Sequence, residues 1–373
     1  MFRPQIQKTR VLGYLAIINM FLVYWALNSY TETPTFGYAI KKQSESHMNN
    51  QINFLRDLYN DSLINSGKDS FSYGDFLIGP KQSKIKTTKG SKLSKQITLS
   101  PRFSAMITEM LMELNIDSTD LVAISYTGSY PGANIAVLSA LEAMHIKAAI
   151  IGSCGSSDFG ATNPEMTWFD IENKLYKQKY ISNKSSFATL GGGLDKGTQM
   201  STEGKNICIQ SIYKNNLNYL DTSIPNENIN NRMKFYDSVE GKGEIKLFIN
   251  IGGGVYAIGD SIERNLVPPG IIYPGDIDSK KGQTVVYEFL NREIPVININ
   301  HIQVLADWYD LESPPRKKFE STKGSLFYSK KQYNAYIIII AFLISAGSVL
   351  AIGMISHYEI KKRMYASEPE SII

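Results

Sequence analysis

Two long uncharged segments, one near each end, constrain this chain more than any other feature. They are Val11 to Asn28 and Tyr336 to Ile355. At about 1.5 Å per helical residue, each is long enough to cross the hydrocarbon core of a bilayer. We predict transmembrane helices at 11–29 and 333–356. The alternatives are a secretory signal peptide for the first segment, which lacks a small-x-small cleavage site, and a buried core helix for the second.

The basic residues beside these segments bear on orientation. Three of them, Arg3, Lys8 and Arg10, precede the first segment. Since the first helix usually decides orientation, we predict a two-pass protein of the cell membrane with residues 1–10 and 357–373 cytoplasmic and the middle of the chain extracytoplasmic. A basic stretch before the second segment, 311–332, favours the opposite orientation. The lipid bilayer is thus one predicted partner.

The middle of the chain separates into a connecting region and a domain. Apolar residues recur every three or four positions from Met48 to Leu63, which predicts a juxtamembrane helix from about Lys41 to Asn65. We therefore assign 38–78 to a juxtamembrane helix and linker, 79–310 to one large domain, and 311–332 to a basic linker.

Short apolar runs alternate with amphipathic helices inside 79–310. Buried strands are predicted at Leu121–Ser125, Lys147–Ile151, Ile245–Ile251 and Pro295–Asn300, and helices at Phe103–Leu114, Ala133–Met144 and Ile302–Tyr309. This alternation is typical of a parallel sheet covered on both faces. We predict an α/β fold with a doubly wound, mainly parallel sheet.

Composition excludes several classes of function. A net charge of +4 is too small to indicate nucleic-acid binding. Both cysteines, Cys154 and Cys208, lie in or beside apolar runs, so buried free thiols are expected, with a disulfide as the alternative outside the cytoplasm. The four histidines are scattered, and neither a P-loop nor a G-x-G-x-x-G motif is present. We predict no metal and no cofactor.

Four glycine-rich loops follow predicted strands or apolar segments, and they begin near Tyr126, Gly152, Thr189 and Asn250. Glycine lets backbone amides approach a ligand or adopt positive φ, and hydroxyls add donors. Since ligands of α/β sheets collect at the carboxyl ends of the strands, we predict a site for a carboxylate or phosphate, with tight turns as the alternative. The predicted residues are Thr127, Gly128, Ser129, Ser153, Ser156, Gly191, Gly192, Gly252 and Gly253.

The sequence contains candidates for a catalytic site as well as for a binding site. Ser129 lies in a strand-to-helix turn and is a candidate nucleophile, with His301 as its base and Asp158, Asp170 or Asp195 as the orienting acid. Ser129 lacks the G-x-S-x-G context of a nucleophile elbow, and a helix cap is its alternative role. His301 is likewise explained by a position at a helix N-terminus.

A basic segment precedes the domain's first helix. Lys81 to Arg102 contains seven cations and no acid. Its Ser, Thr and Gly content predicts an extended or looping arm. Four lysines, Lys86, Lys89, Lys92 and Lys95, are predicted to contact a polyanion; a solvated linker is the alternative.

Several of these features together resemble the poly-γ-glutamate system protein family. They are the two terminal apolar helices, Thr87–Ser91, Thr127–Pro131, Asn163–Trp168 and the two triple-glycine loops. The resemblance implies a membrane-anchored accessory protein of poly-γ-glutamate synthesis or export that contacts the polymer or a synthase subunit. The resemblance identifies no catalytic residue in this chain. A membrane-tethered hydrolase or transferase acting on γ-glutamyl bonds is the alternative, and a pure scaffold is the third.

Overall fold

The computed structural model describes residues 9–31, 33–63, 75–220, 224–239, 243–260, 262–278, 282–312, 327 and 332–366. The chain divides into two compact units. The terminal unit consists of Met1–Thr35 with Tyr328–Ile373, and the central unit is Phe36–Phe327.

The helices of the described residues are numbered in chain order. They are α1 (Thr9–Leu27), α2 (Tyr38–Leu63), α3 (Lys92–Thr98), α4 (Arg102–Glu113), α5 (Pro131–Met144), α6 (Trp168–Lys177), α7 (Thr202–Lys214), α8 (Pro225–Val239), α9 (Val255–Ile258), α10 (Glu263–Leu266), α11 (Val285–Asn291), α12 (Ile302–Trp308) and α13 (Ala335–Ala366). Single 3₁₀ turns lie at Asp75–Leu77 and Gly193–Asp195.

The strands follow the same order. They are β1 (Tyr30–Thr31), β2 (Lys86–Thr88), β3 (Leu121–Thr127), β4 (Lys147–Ser153), β5 (Ser156–Ser157), β6 (Phe187–Thr189), β7 (Asn218–Tyr219), β8 (Ile245–Ile251), β9 (Gly270–Ile272), β10 (Val296–Ile299) and β11 (Gln332–Tyr333).

The terminal unit joins the two ends of the chain. Helices α1 and α13 contact each other, Ser345 Oγ donates a hydrogen bond to Asn19 Oδ1, and β1 pairs with β11 in antiparallel register. The segments Arg10–Leu27 and Ala335–Lys362 are long and apolar enough to span a membrane. Helix α13 does not end with its apolar run but continues through Lys361 and Lys362, which are good helix formers, into the predicted tail.

The central unit is built on a mostly parallel sheet. Among the described residues the strand order is β7-β6-β4-β3-β8-β10-β9, and only β9 runs antiparallel to its neighbour. The chain moves outward from β3 through β4, β6 and β7. It then returns to the other side of β3 with β8. This confirms the predicted mixed α/β class and the mainly parallel sheet.

Burial explains why these segments form the sheet and its first layer of helices. Every residue of β3 is buried, as expected for a central parallel strand. Nearly all residues of α5 are buried because α2, α3 and α4 all contact it. Elsewhere in the core, the ring of Phe248 in β8 stacks on the ring of Phe289 in α11, with their centroids 4.7 Å apart.

The helix predicted from about Lys41 to Asn65 is present as α2, Tyr38–Leu63. Its apolar stripe, Met48, Ile52 and Leu55, is completely buried, and the helix packs on α4 and α5. It therefore belongs to the central unit and is not a linker outside it. The rest of that segment up to residue 74 lies outside the described residues, as does most of the basic linker 311–332.

Two further expectations were wrong. Cys154, after β4, and Cys208, in α7, form a disulfide with their Cα atoms 5.7 Å apart, so neither is a free thiol. The basic segment 81–102 is not an extended arm either. It contains β2, which pairs in parallel with β5, and then α3, whose N-terminus is capped by Ser91.

Candidate functional site

A cleft of about 260 Å³ lies where the carboxyl ends of β3, β4 and β8 meet the β2–β5 pair. Strands β3 and β8 are the neighbours from which the chain runs outward in opposite directions. In open α/β sheets this is the point where loops diverge and leave a crevice for ligands. The lining residues are Thr87, Thr88, Lys89, Gly90, Thr127, Ser129, Tyr130, Ser153, Gly155, Ser157, Gly192, Gly193, Gln199, Gly253, Gly254, Val255, Asp260, Arg264 and Asn300.

Five of the nine predicted anion-site residues line this cleft: Thr127, Ser129, Ser153, Gly192 and Gly253. Each of the four loops predicted to converge therefore contributes at least one residue to the lining of this cleft. The other four residues, Gly128, Ser156, Gly191 and Gly252, are buried behind that lining.

These buried residues have a structural role. Ser156 Oγ donates to the carbonyl of Gly128 at 3.0 Å, which joins two of the loops. Gly252 adopts φ +89°, and a Cβ there would lie 2.7 Å from Thr127 Oγ1. Gly253, by contrast, does not have positive φ. An added Cβ at Gly253 would instead meet the Arg264 guanidinium, with Cζ 2.7 Å away, so the arginine side chain would have to move.

The capping role predicted for Ser129 is absent from the described structure. Helix α5 has Tyr130 at its N-cap position with no side-chain capping bond, so Ser129 is not the cap. Its Oγ instead accepts a hydrogen bond from the backbone N–H of Ser157 at 3.0 Å. This bond fixes β5 against the turn that follows β3.

The proposed Ser–His–Asp arrangement does not form within the described part of the chain. His301 is exposed, with φ +48° at the N-cap of α12 and no side-chain capping bond. The three candidate acids have other partners: Asp158 pairs with Lys86, Asp170 closes the capping box of α6, and Asp195 pairs with Arg232. No described hydrogen bond connects His301 with Ser129.

Cationic donors face the cleft from two sides. Lys89 is exposed at its rim, and Arg264 Nη2 donates to the carbonyl of Gly253 at 3.3 Å. Within the described structure, the buried atoms Arg264 Nε and Asn300 Nδ2 have no hydrogen-bond partner. Asp260 adds one negative charge, and hydrogen bonds from the backbone N–H groups of Glu263 and Ile262 hold its pKa below the ordinary value. Unused donors and a cationic excess suit an anionic ligand.

The four lysines of the basic segment do not form one surface. Lys86 Nζ lies 2.6 Å from Asp158 Oδ1, and Lys92 is exposed on α3. Burial acts to raise the pKa of Asp158, but Lys86, the backbone N–H of Gly90 and the charge of Lys81 together hold it below its ordinary value. Of the four lysines, only Lys89 lines the cleft.

Lys95 is the exception among these lysines because it is buried beside the cleft. Its Nζ lies 2.8 Å from Ser157 Oγ and 3.3 Å from the centroid of the Tyr130 ring. Burial lowers the pKa of Lys95 to about 7, against the opposing charge of Asp158.

Sequence reasoning missed Ser157, Arg264 and Asn300. Ser157 lies in the second glycine-rich loop, in which only Ser153 and Ser156 are predicted site residues, and its neighbour Lys95 is distant in sequence. Arg264 belongs to a short helix with no motif, so no signal in the sequence assigns it to the cleft.

Comparison with known proteins adds no assignment. No protein-family model, no curated protein and no solved structure matches this chain at a significant level.

Proposed function

We propose that this chain is a membrane-anchored accessory protein of poly-γ-glutamate synthesis or export, and that its cleft binds an α-carboxylate of the polymer. The observation that carries the proposal is the charge of the cleft lining, where the cations of Lys89 and Arg264 outnumber the single acid Asp260. Two buried donors of lining residues, Arg264 Nε and Asn300 Nδ2, also have no hydrogen-bond partner within the described structure. Carboxylates accept several such bonds at once.

The sequence resemblance supports the same ligand. Two of the segments that carry it, Thr87–Ser91 and Thr127–Pro131, contribute lining residues to the cleft. A volume of about 260 Å³ is slightly below the range of drug-sized pockets, which suits one or two glutamyl units better than a nucleotide. A polymer chain can continue past the cleft because the site is open to the surface.

The proposal includes an extracytoplasmic central unit in a two-pass protein. The basic flank before α1 supports this orientation, and so does the Cys154–Cys208 disulfide, since disulfides persist mainly in oxidising compartments. It also includes a doubly wound sheet, supported by the reversal of strand order between β3 and β8. A synthase subunit is the proposed protein partner, and nucleic acid is not a proposed ligand.

The test is binding of poly-γ-glutamate to the full chain in detergent micelles. Lys89→Met with Arg264→Met should weaken binding at least tenfold, because two charge-assisted contacts are lost, each of about 1.5–3 kcal/mol. Lys177→Met is the matched control, since Lys177 is exposed on α6 away from the cleft lining.

Poly-α-glutamate serves as the matched polyanion. The γ-linked polymer should bind more tightly, because its carboxylate lies on the backbone carbon and reaches the cleft at a different spacing. Binding should also weaken with salt, as the screening length falls to about 8 Å at physiological ionic strength. Unchanged affinity of the double variant would show that the polymer, if it binds at all, binds elsewhere.

A further inference from the structure

We propose that Ser157 and Lys95 form a serine–lysine catalytic pair, which makes the cleft a site of acyl transfer on γ-glutamyl amide bonds. Ser157 is the nucleophile and Lys95 the general base. The choice of substrate rests on the proposed polymer site, whereas the chemistry of the pair rests on its own geometry.

The geometry is that of an activated hydroxyl. Ser157 is one of the residues that line the cleft. Lys95 Nζ lies 2.8 Å from that oxygen, within reach for direct proton transfer. Lys95 is only 2 % exposed and lies behind Ser157, against the Tyr130 ring. A substrate therefore meets the hydroxyl, while the amine is shielded from solvent.

Rigid elements hold the two groups in place. Lys95 projects from α3, and Ser157 belongs to β5, which pairs with β2. The hydrogen bond from the Ser157 N–H to Ser129 Oγ prevents the strand from moving away. Ser129 is thus a positioning residue for Ser157. Such support is what a nucleophile needs to keep its orientation.

A lysine acts as a base only when it is neutral. Burial lowers the pKa of Lys95 to about 7, so a substantial fraction is neutral near pH 7. The opposing charge is Asp158, which is already paired with Lys86. The helices packed on α3 contribute no further compensation: Glu142 of α5 bonds to Ser182, and Asp307 of α12 is exposed.

The reaction consists of two balanced steps. Ser157 Oγ attacks the γ-carbonyl carbon while Lys95 Nζ takes the hydroxyl proton, and the resulting ammonium then protonates the departing amine as the C–N bond breaks. This leaves a γ-glutamyl ester on Ser157. Water, or the amine of a second glutamyl chain, then attacks the ester; Lys95 takes the attacking proton and returns it to Ser157 Oγ. The net result is hydrolysis or transfer, with no oxidant or reductant required.

A purely structural lysine is the competing explanation of the same contacts. Such a lysine would stabilise the fold through Tyr130 and Ser157 without activating the hydroxyl. The two explanations differ in the reactivity of Ser157, which can be measured without knowing the substrate.

The experiment is labelling of the full chain in detergent micelles with a fluorophosphonate probe, followed by peptide mass spectrometry. Wild-type protein should carry the adduct on Ser157, and the labelling rate should increase as pH rises through about 7. Ser157→Ala should abolish labelling. Lys95→Met and Lys95→Arg should each reduce it at least 100-fold, because neither side chain can accept the proton.

Controls separate this chemistry from folding and from polymer binding. Ser186→Ala, at an exposed serine that precedes β6 and is not among the residues that line the cleft, should label like wild type. Thermal melting of each variant identifies any that do not fold, and two lysine variants are used so that one retains the cation. Ser157→Ala should still bind poly-γ-glutamate and should no longer shorten it or extend it.

Each outcome decides between the proposals. Absence of an adduct on folded wild-type protein, an adduct on another residue, or normal labelling of a folded Lys95→Met variant would overturn the catalytic pair. If wild-type protein binds polymer but does not label, the polymer site stands and the pair does not. If it labels but does not bind the polymer, the catalytic pair stands and the polymer site does not.

Discussion

Arg232 Nη2 lies 2.5 Å from Asp195 Oδ2, and both side chains are buried. Helix α8 supplies the arginine, and the turn after β6 supplies the acid. Thr189 Oγ1 also donates to Asp195 at 2.8 Å, and Arg232 Nε donates to Asn228 at 2.8 Å. This ion pair anchors the turn that carries Gly192 and Gly193 to the cleft.

Neutralising the acid of this pair should destabilise the central unit strongly. Asp195→Asn leaves the Arg232 charge buried without a counter-charge, which costs about 3–5 kcal/mol. Asp237→Asn is the matched control, because Asp237 pairs with Arg292 at 2.5 Å on the surface, where such pairs contribute about 0–1 kcal/mol. Urea unfolding measures both. Equal losses in the two variants would contradict the structural role of the buried pair.

The Cys154–Cys208 disulfide should stabilise the same region. It joins the end of β4 to α7 across 54 residues, and removal of a native disulfide typically costs about 2–5 kcal/mol. The melting temperature of wild-type protein should fall on reduction. Cys154→Ala with Cys208→Ala should melt at the reduced value and should not respond to reductant. A wild-type protein insensitive to reductant would show that the bond does not contribute.

A substitution at Gly253 should act by displacing the Arg264 side chain and not by straining the backbone. An added Cβ would lie 2.7 Å from Arg264 Cζ, and the flexible guanidinium can move away. Gly253→Ala should therefore weaken polymer binding about as much as Arg264→Met with little change in melting temperature. The double variant should be no weaker than either single one, as expected for changes that remove one contact. Additive losses would indicate that Gly253 acts independently.

Glu172 should make stability depend on pH. Burial raises its pKa from 4.5 to about 7, although hydrogen bonds from Ser185 and the charge of Lys184 oppose the increase. Between those values the folded protein keeps a proton that the unfolded chain loses. This contribution to stability is therefore complete below pH 4.5 and disappears as pH rises to about 7.

Glu172→Gln removes this dependence, since glutamine does not titrate. The difference in unfolding free energy between wild type and the variant should change by more than about 1.4 kcal/mol from pH 4.5 to 7, because the shift exceeds one pKa unit. Denaturant unfolding at both pH values measures it. Parallel stability curves for the two proteins would contradict the assignment.

The proposed orientation predicts which residues are accessible on intact cells. Both cysteines are in the disulfide, so a single Lys177→Cys change introduces the only thiol. An impermeant maleimide should label it before lysis, because Lys177 is exposed on the central unit. Ser371→Cys in the C-terminal tail should label only after lysis. The reversed pattern would place the central unit in the cytoplasm.

The sequence alone predicted the elements whose signal is local. Strand β8 agrees with its predicted bounds at both ends, and β3, β4, β10, α4, α5 and α12 agree to within about two residues. Continuous apolar runs identify buried strands wherever they occur in a chain. The short strands β2, β5, β6, β7 and β9 were missed because two or three residues carry no periodicity. The helices α6, α7 and α8, which lie between β5 and β8 in the chain, were not assigned either.

For the candidate site, too, local sequence predicted one part and the tertiary structure decided the other. Glycine and hydroxyl residues after strands predicted which loops meet, and the shared edge of a parallel sheet explains why that inference works. Only the tertiary structure decided which side chains the cleft contains. It separated Lys86, Lys89, Lys92 and Lys95 into an ion pair, a rim cation, an exposed residue and a buried amine. It also brought Lys95 to Ser157 across 62 residues of sequence, a proximity that depends on long-range packing and leaves no trace in local pattern.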